Sequence, residues 1–391
     1  MSVKPKSLLS KSSLQAEYKE VIIAYPCPIC GKKLSRRNHL KRHLREVHKL
    51  SDDKIEATMP AKQVVDRKAK KPTKEEVLVN INEMAEKVLQ GLPDRNRLRV
   101  TKPRKNGLKP ETWLLEFSDL HYGLRVKSVE VGGLSEYNAK LSVERLSYLA
   151  ETMGRVLEYY PNKPREFVIA FLGDMVDNSI MRGNQQASVE FGVVTQTMLV
   201  SELITDFIIA MSKYFPKIRC YGVYGNHGRL TRSPIDSHPA ENFDRLVYYI
   251  VKDRIKGMKN ITFEYTEAQH MIVEVNKHTF WMEHGDSIRS WMGIPFYGSQ
   301  REKANIGQML SIAGQHAEYI LMGHHHNLAI FDGVFINGAF VGGDIYSIGR
   351  LRRMSIPVQI LMGINKAHGV VWHRPIQLID KPYEMHVKVY K

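Results

Sequence analysis

Three cysteines in 391 residues are too few for a disulfide framework, and two of them, Cys27 and Cys30, stand as a close pair. Such usage fits a reducing compartment, with the pair holding a metal rather than a cross-link. Also missing is an apolar run near the roughly 20 residues that span a bilayer. The first ten residues, Met1 to Ser10, hold neither a long apolar segment nor a small-residue cleavage site. These absences predict a cytoplasmic protein with no membrane partner. What is present is globular in character, since 43% hydrophobic and 25% charged residues suffice for one large α/β domain and a smaller module.

Charge is abundant but unevenly placed. The net charge of +16 is concentrated in residues 1–110, with 27 Lys and Arg against 12 Asp and Glu, which leaves 30 against 29 for the other 281 residues. A basic front end on a neutral body points to a polyanionic partner. The boundaries suggested are a basic arm (1–24), a metal module (25–49), a basic linker with one helix (50–110) and a large domain (111–391). The linker helix is expected over Lys74–Gln90, where Val77, Ile81, Met84, Val88 and Leu89 recur at helical spacing before Gly91 and Pro93.

Cys27 and Cys30 are followed by twelve residues, His43, four more and His48. Two thiolates on a tight turn and two imidazoles one helical turn apart can grip one tetrahedral Zn²⁺. Tyr25, Leu34 and Leu40 supply a small core. This stretch resembles the ββα zinc finger family. The resemblance implies that Arg36, His39 and Arg42 face the bases of a major groove, with a weak preference for a G-rich triplet. DNA is the partner expected from the basic surroundings; some fingers bind protein instead, which nothing in this sequence indicates.

From Thr112 onward apolar strand-like runs alternate with amphipathic helices, and each run ends in a polar cluster. Trp113–Phe117 leads to Asp119 and His121, Phe167–Leu172 to Gly173-Asp174, and Ile218–Tyr224 to Gly225-Asn226-His227. His278–Glu283 leads to His284-Gly285-Asp286, and Tyr319–Met322 to Gly323-His324-His325-His326. Strand ends of an α/β sheet meet on one rim, which would collect Asp119, His121, Asp174, Asn226, His284, His324 and His326. Imidazoles and oxygens without thiolate suit Mn²⁺, Fe or Zn²⁺ rather than Ca²⁺, Mn²⁺ being favoured. Seven donors are too many for one ion with an open position and fit two ions sharing Asp174. His325 is expected to point away from its neighbours; Arg350, Arg352 and Arg353 read as a solvated loop, with the wall of a substrate path as the alternative.

The ordered set Asp-Leu-His, Gly-Asp-Met-Val-Asp, Gly-Asn-His, His-Gly-Asp and Gly-His-His-His resembles the calcineurin-like metallophosphoesterase superfamily, its DNA-repair exonuclease branch in particular, over residues 112–375. The resemblance implies a four-layer α/β/β/α fold of two mixed sheets with helices outside. It further implies Asp119, His121 and His326 on one metal, Asn226, His284 and His324 on the other, Asp174 as the bridge and His227 as the catalytic group that protonates the leaving oxygen or steadies the phosphoryl group. The family often has an acid directly after that histidine; here Gly228 follows, leaving either Asp236, Glu241 or Asp244 as a substitute or a different orientation of His227. Asp177 is expected in a supporting position. The expected function is a two-metal phosphodiesterase or nuclease acting on DNA. The alternatives are a phosphomonoesterase targeted by its finger and a non-catalytic DNA-binding protein.

Overall fold

The computed structural model describes residues 25–34, 36–59, 83, 111–160, 163–181, 183, 185–234, 236–238, 240–288 and 296–379. Two units emerge, one within residues 1–101 and one within 102–391. The basic arm, the basic runs of the linker and, apart from Glu83, its expected helix lie outside the described residues.

In the first unit, β1 (Tyr25–Pro26) pairs antiparallel with β2 (Lys33–Leu34), so that Tyr25 lies opposite Leu34. The turn between them closes through Gly31 N–H to the Cys27 carbonyl (2.8 Å). Helix α1 (Arg37–Glu46) buries Leu40 and Leu44 against Cys27. A second helix, α2 (Asp52–Thr58), was not expected from the sequence; it inserts Ile55 into the same core and pairs Glu56 with Lys41 and Asp52 with Arg45. Seven residues do not sustain a helix unaided. Burial of Ile55, which is 2% exposed, holds this one in place.

The second unit is built on two sheets. In the larger, β3 (Thr112–Phe117), β4 (Glu166–Phe171), β5 (Lys217–Gly222) and β6 (Ile261–Tyr265) run parallel, and β12 (Val358–Asn365) and β13 (Gly369–Gln377) continue antiparallel beyond β3. The smaller has the order β10 (Ala329–Phe331), β11 (Val334–Ile336), β9 (Tyr319–Met322), β8 (His278–Glu283), β7 (His270–Val275), with β9 parallel to β8 and to β11.

Alternation along the strands divides the core. Trp113, Leu115 and Phe117, with Phe167, Ile169 and Phe171, face α3 (Ala139–Glu158), α4 (Val193–Met211) and α5 (Phe243–Ile255). Leu114, Val168 and Ala170 face the other way, onto Phe280, Met282 and Leu321 of the smaller sheet. The far side of that sheet, with Trp281, Ile320 and Met322, is covered by Ile306 and Leu310 of α6 (Phe296–Ile312). The result is the four-layer α/β/β/α sandwich.

Three differences from the sequence-based expectation have local causes. After Met322 the sequence reads as strands near Val334–Val341, Val358–Gly363 and Gly369–Trp372; the first stops at Ile336, where the side-chain amide of Asn337 donates to Ser118 Oγ (3.0 Å) and Gln359 Oε1 (2.9 Å). Strands β6, β7 and β10 and helix α6 were not foreseen. Helix α4 is long and apolar enough by length and composition to cross a membrane, contrary to the absence inferred from the sequence. One side of it is core, however, with Val200, Ile204, Phe207, Ile208 and Met211 buried.

Glu116 breaks the apolar pattern of β3. It is fully buried and neither carboxyl oxygen has a hydrogen-bond partner among the described residues. Burial pushes its carboxyl well above the ordinary 4.5, so the folded chain keeps the proton. The unfolded chain releases that proton above about pH 4.5, so stability is lost as pH rises, by up to about 1.4 kcal/mol per unit until the folded group also ionises. Urea denaturation of Glu116→Leu is therefore expected to show a gain over the parent chain that grows between about pH 4 and pH 8. Parallel pH curves would exclude this role.

Candidate metal centre

The polar clusters lie beyond the carboxyl ends of β3, β4, β5, β8 and β9, where the loops of the two sheets meet. Asp119 N–H donates to the Gly173 carbonyl (3.1 Å) and His121 N–H to the Asp174 carbonyl (2.9 Å), which extends the β3–β4 pairing into the loops. His227 N–H donates to Asp174 Oδ1 (2.8 Å) and His324 N–H to Asp119 Oδ1 (3.1 Å). Five of the residues involved are left-handed, with φ of 54° at Asp119, 44° at His121, 58° at Asp174, 64° at His324 and 57° at His326. That conformation is costly outside glycine and concentrates at functional sites. The glycines between them serve close approach: a Cβ on Gly173 would run into the Gly225 backbone, and one on Gly225 into the Asp174 carboxylate.

Side chains converge in two sets. In one, His326 Nε2 stands 3.0 Å from His121 Nε2 and 3.3 Å from Asp119 Oδ1. In the other, His284 Nε2 is 3.0 Å from Asn226 Oδ1 and 3.1 Å from Asp174 Oδ2, and His324 joins Asp174 and His284. The same Asp174 Oδ2 lies 3.8 Å from His121 Nε2, placing this carboxylate between the sets. All seven donors expected from the sequence are thus brought together.

The surroundings fix which atoms face inward. His284 Nδ1–H donates to the Leu172 carbonyl (2.7 Å) and His121 Nδ1–H to Asp177 Oδ1 (3.2 Å), so both rings turn Nε2 to the centre. Asp244, fully buried at the start of α5, accepts from the N–H groups of Asp174 (2.8 Å), Met175 (3.0 Å), Val176 (3.4 Å) and Gly225 (2.9 Å).

Electrostatics within the cluster favours added positive charge. Burial alone would raise the carboxyls of Asp119 and Asp174, yet the neighbouring imidazoles hold both well below the ordinary range. Burial likewise opposes charge on His284, but the Asp174 carboxylate overcomes it and pushes the ring up to about 10. On His324, burial and the charge of His284 act together and hold the ring well below its usual range, leaving its lone pairs available. Imidazole and carboxylate donors without thiolate, with a surplus of buried carboxylate, fit divalent cations.

His227 is buried beside this cluster. Its Nδ1–H donates to the Asp177 carbonyl (2.8 Å), with Asp177 Oδ1 at 3.2 Å. The orienting acid is therefore Asp177, and none of Asp236, Glu241 or Asp244 takes that place. Gly228 is small for a reason: a Cβ there would meet the side-chain oxygen of Asn242, which caps α5 and also donates to the Gly225 carbonyl (2.9 Å).

Two expectations are corrected. His325 does not turn away; it lines a cleft of about 360 Å³ together with Asp174, His227, His324 and His326. Side-chain alternation presumes an extended backbone, and the left-handed residues on either side of His325 break it. Arg353 is not merely part of a solvated loop, since it is half-buried in the wall of the same cleft. The Gly-His-His-His motif contains His325 but gave it no role, and no motif included Arg353.

In the small unit, Cys27 Sγ lies 3.5 Å from His48 Nε2 and Cys30 Sγ 3.3 Å from His43 Nε2, the four donors forming one cluster. Arg36, His39 and Arg42 are exposed at the start of α1 and along it, Arg42 pairing with Glu46 (3.2 Å).

Comparison with known proteins agrees with both units. The model of the C2H2-type zinc finger matches residues 25–48, and that of the calcineurin-like phosphoesterase matches residues 112–349. The SPbeta prophage-derived uncharacterized protein YonJ of Bacillus subtilis (strain 168) is 22% identical over 151 residues, 38% of this chain and 36% of that protein. The chain therefore spans about a third of the length of this curated relative. Among solved structures, Vps29 of Entamoeba histolytica in complex with zinc is 9% identical, with 68% of this chain and 99% of that one covered and a TM-score of 0.29. A conserved uncharacterized protein of Streptococcus pneumoniae, described as a predicted phosphoesterase, is 11% identical, with 69% and 99% covered and a TM-score of 0.23. Sulfate thiohydrolase SoxB of Thermus thermophilus is 10% identical, with 72% and 58% covered and a TM-score of 0.27.

Asp177→Asn keeps the shape of the side chain that orients His121 and His227 but removes its charge. Divalent-metal affinity, followed by calorimetric titration, is expected to fall about 10–100-fold. An unchanged affinity would show that Asp177 does not tune the centre.

Proposed function

The chain belongs to the calcineurin-like phosphoesterase family, and from that premise we propose that it is a two-metal phosphodiesterase that hydrolyses DNA, brought to it by the zinc finger and basic arm. The observation that carries the proposal is the pair of donor sets sharing Asp174. Asp119, His121 and His326 would hold one ion, Asn226, His284 and His324 the other, with Asp174 Oδ2 between them. Manganese is the favoured metal, and the cluster of Cys27, Cys30, His43 and His48 would hold a structural zinc.

When bound, paired divalent cations lower the pKa of a water and neutralise the charge of the phosphoryl group in an in-line displacement. The chain's own residues supply the rest. Asp174 is held by two backbone contacts, its N–H to Asp244 and its Oδ1 to His227 N–H, so the shared carboxylate cannot swing away. His227 has its Nδ1–H committed to Asp177, which leaves Nε2 to carry the proton for the leaving oxygen. The Asp177 carboxylate, 3.2 Å from Nδ1, helps hold the ring in that orientation. For the choice of DNA, support comes from the +15 balance of the first 110 residues and from Arg36, His39 and Arg42 on the exposed side of α1.

Rates with Mn²⁺ on a bis-aryl phosphate, a mono-aryl phosphate and a DNA strand decide between diesterase and monoesterase. Cleavage of both diesters is expected, and activity confined to the monoester would retire the diesterase reading. Asp174→Asn is expected to abolish turnover without unfolding the body, and His227→Gln to slow it by about 10²–10⁴-fold; a fully active variant would remove the corresponding role. In a gel shift, removal of residues 1–60 is expected to weaken DNA binding, and equal binding with and without them would refute the role of the front end.

A further inference from the structure

Beyond Asp174 and His227, the cleft extends along the segment 342–355, which contributes Tyr346, Arg353 and Met354 to one wall. A second hollow, about 550 Å³, begins at Tyr346 and is lined by Asp177, Gln185 and Arg350. Tyr346 is thus common to both. The segment is held by its own hydrogen bonds. Helix α7 (Ile345–Gly349) starts in a reciprocal cap between Asp344 and Ser347, Arg353 N–H donates to the Ser347 carbonyl (2.9 Å), and Ser355 N–H to the Gly342 carbonyl (2.9 Å). The backbone that carries its side chains is therefore set before any ligand arrives.

Two of them have properties that a site for one isolated phosphate does not call for. The Arg353 guanidinium, half-buried beside His325, makes no ion pair among the described residues, although the donors of the centre lie along the same cleft. Tyr346 is 46% exposed at the rim on a rigid turn. A cation next to a phosphate-binding centre suits a second phosphate, since Arg binds phosphate oxygens with little desolvation cost. A half-exposed aromatic ring suits a base, whose face it can cover. A phosphate followed by a base and a further phosphate is the repeat of a nucleic-acid strand.

We propose that Tyr346 and Arg353 form a subsite for the nucleotide next to the scissile phosphate, the ring stacking on its base and the guanidinium taking its phosphate. This subsite rests on the diesterase reading above and deepens it: the substrate is an unpaired strand at this point, because a base inside a duplex does not offer its face. The two hollows lie on either side of Tyr346, so a strand stacked on that ring would have room on both sides of it.

The test compares trithymidylate, which has a flanking base and phosphate, with a methyl aryl phosphate diester, which has neither, on the full chain with Mn²⁺. Arg353→Gln is expected to lower the ratio of kcat/KM for the trinucleotide to that for the aryl diester at least tenfold, chiefly through KM, and to flatten the salt dependence of the trinucleotide KM. Tyr346→Ala is expected to lower the same ratio several-fold and Tyr346→Phe to restore it, since the ring is retained. Arg352→Gln, an exposed neighbour outside the cleft wall, is expected to keep the parent ratio. If the parent chain cuts the trinucleotide and the ratio is unchanged in Arg353→Gln and Tyr346→Ala, or both substrates fall together, the subsite is overturned while the diesterase reading stands. If the parent chain cuts neither diester, the diesterase reading itself has failed and the subsite falls with it.

Discussion

Three buried carboxylates, those of Asp119, Asp174 and Asp177, surround the His121 ring at 3.8, 3.8 and 3.2 Å, and the body is arranged around that electrostatic demand. Like charges out of water repel strongly and are tolerated only when compensated. The compensation comes from imidazoles and backbone N–H groups. His121, His284 and His326 lie within ion-pair distance of the acids, and His227 and His324 give their backbone N–H groups to Asp174 and Asp119. The parallel strands make this feasible because their carboxyl ends deliver five loops to one place. The left-handed backbone at five of these residues is the accompanying local strain, sustained by the two packed sheets beneath.

Much of this was legible in the sequence because the signals were local and repeated. Buried parallel strands read as continuous apolar runs, so Phe167–Leu172 announced β4 and Gly173-Asp174 its end. The donor residues followed the same way, each within a few positions of such a run. Features defined by distant partners were not legible. Helix α6 buries only Gly298, Ser299, Ile306 and Leu310, too sparse a pattern to stand out. The edge strand β7 mixes His270 and Glu274 among its apolar residues. Strand β6, by contrast, does alternate as Ile261-Thr262-Phe263-Glu264-Tyr265, with Ile261 and Phe263 buried and Thr262 and Glu264 exposed, so a stricter count of period-two positions would have found it. His325 was misjudged by applying strand alternation to a backbone that is not extended, and Arg353 sits in the cleft only because the cap at Asp344 and Ser347 folds its segment back.

The small unit follows a different economy. Its core is four buried side chains, Cys27, Leu40, Leu44 and Ile55, and the last of these comes from a helix outside the metal motif. The pairs Lys41–Glu56 and Arg45–Asp52 fasten that helix to α1 on positions other than Arg36, His39 and Arg42. The side of α1 that would meet a ligand is thereby kept apart from the side that stabilises the fold, a separation the motif spacing alone does not reveal.

Asp244 shows where inherited variation in this chain would do unexpected harm. Its carboxylate receives four N–H groups from two loops that lie some fifty residues apart in the chain, and it touches no donor side chain. Loss of that one acid would release the Asp174 loop and the Gly225 loop together, through a residue that no metal motif includes. A catalogue of harmful substitutions drawn from the motifs alone would score a change at Asp244 as a neutral change in a helix, although four backbone N–H groups of the centre's loops end on its carboxylate.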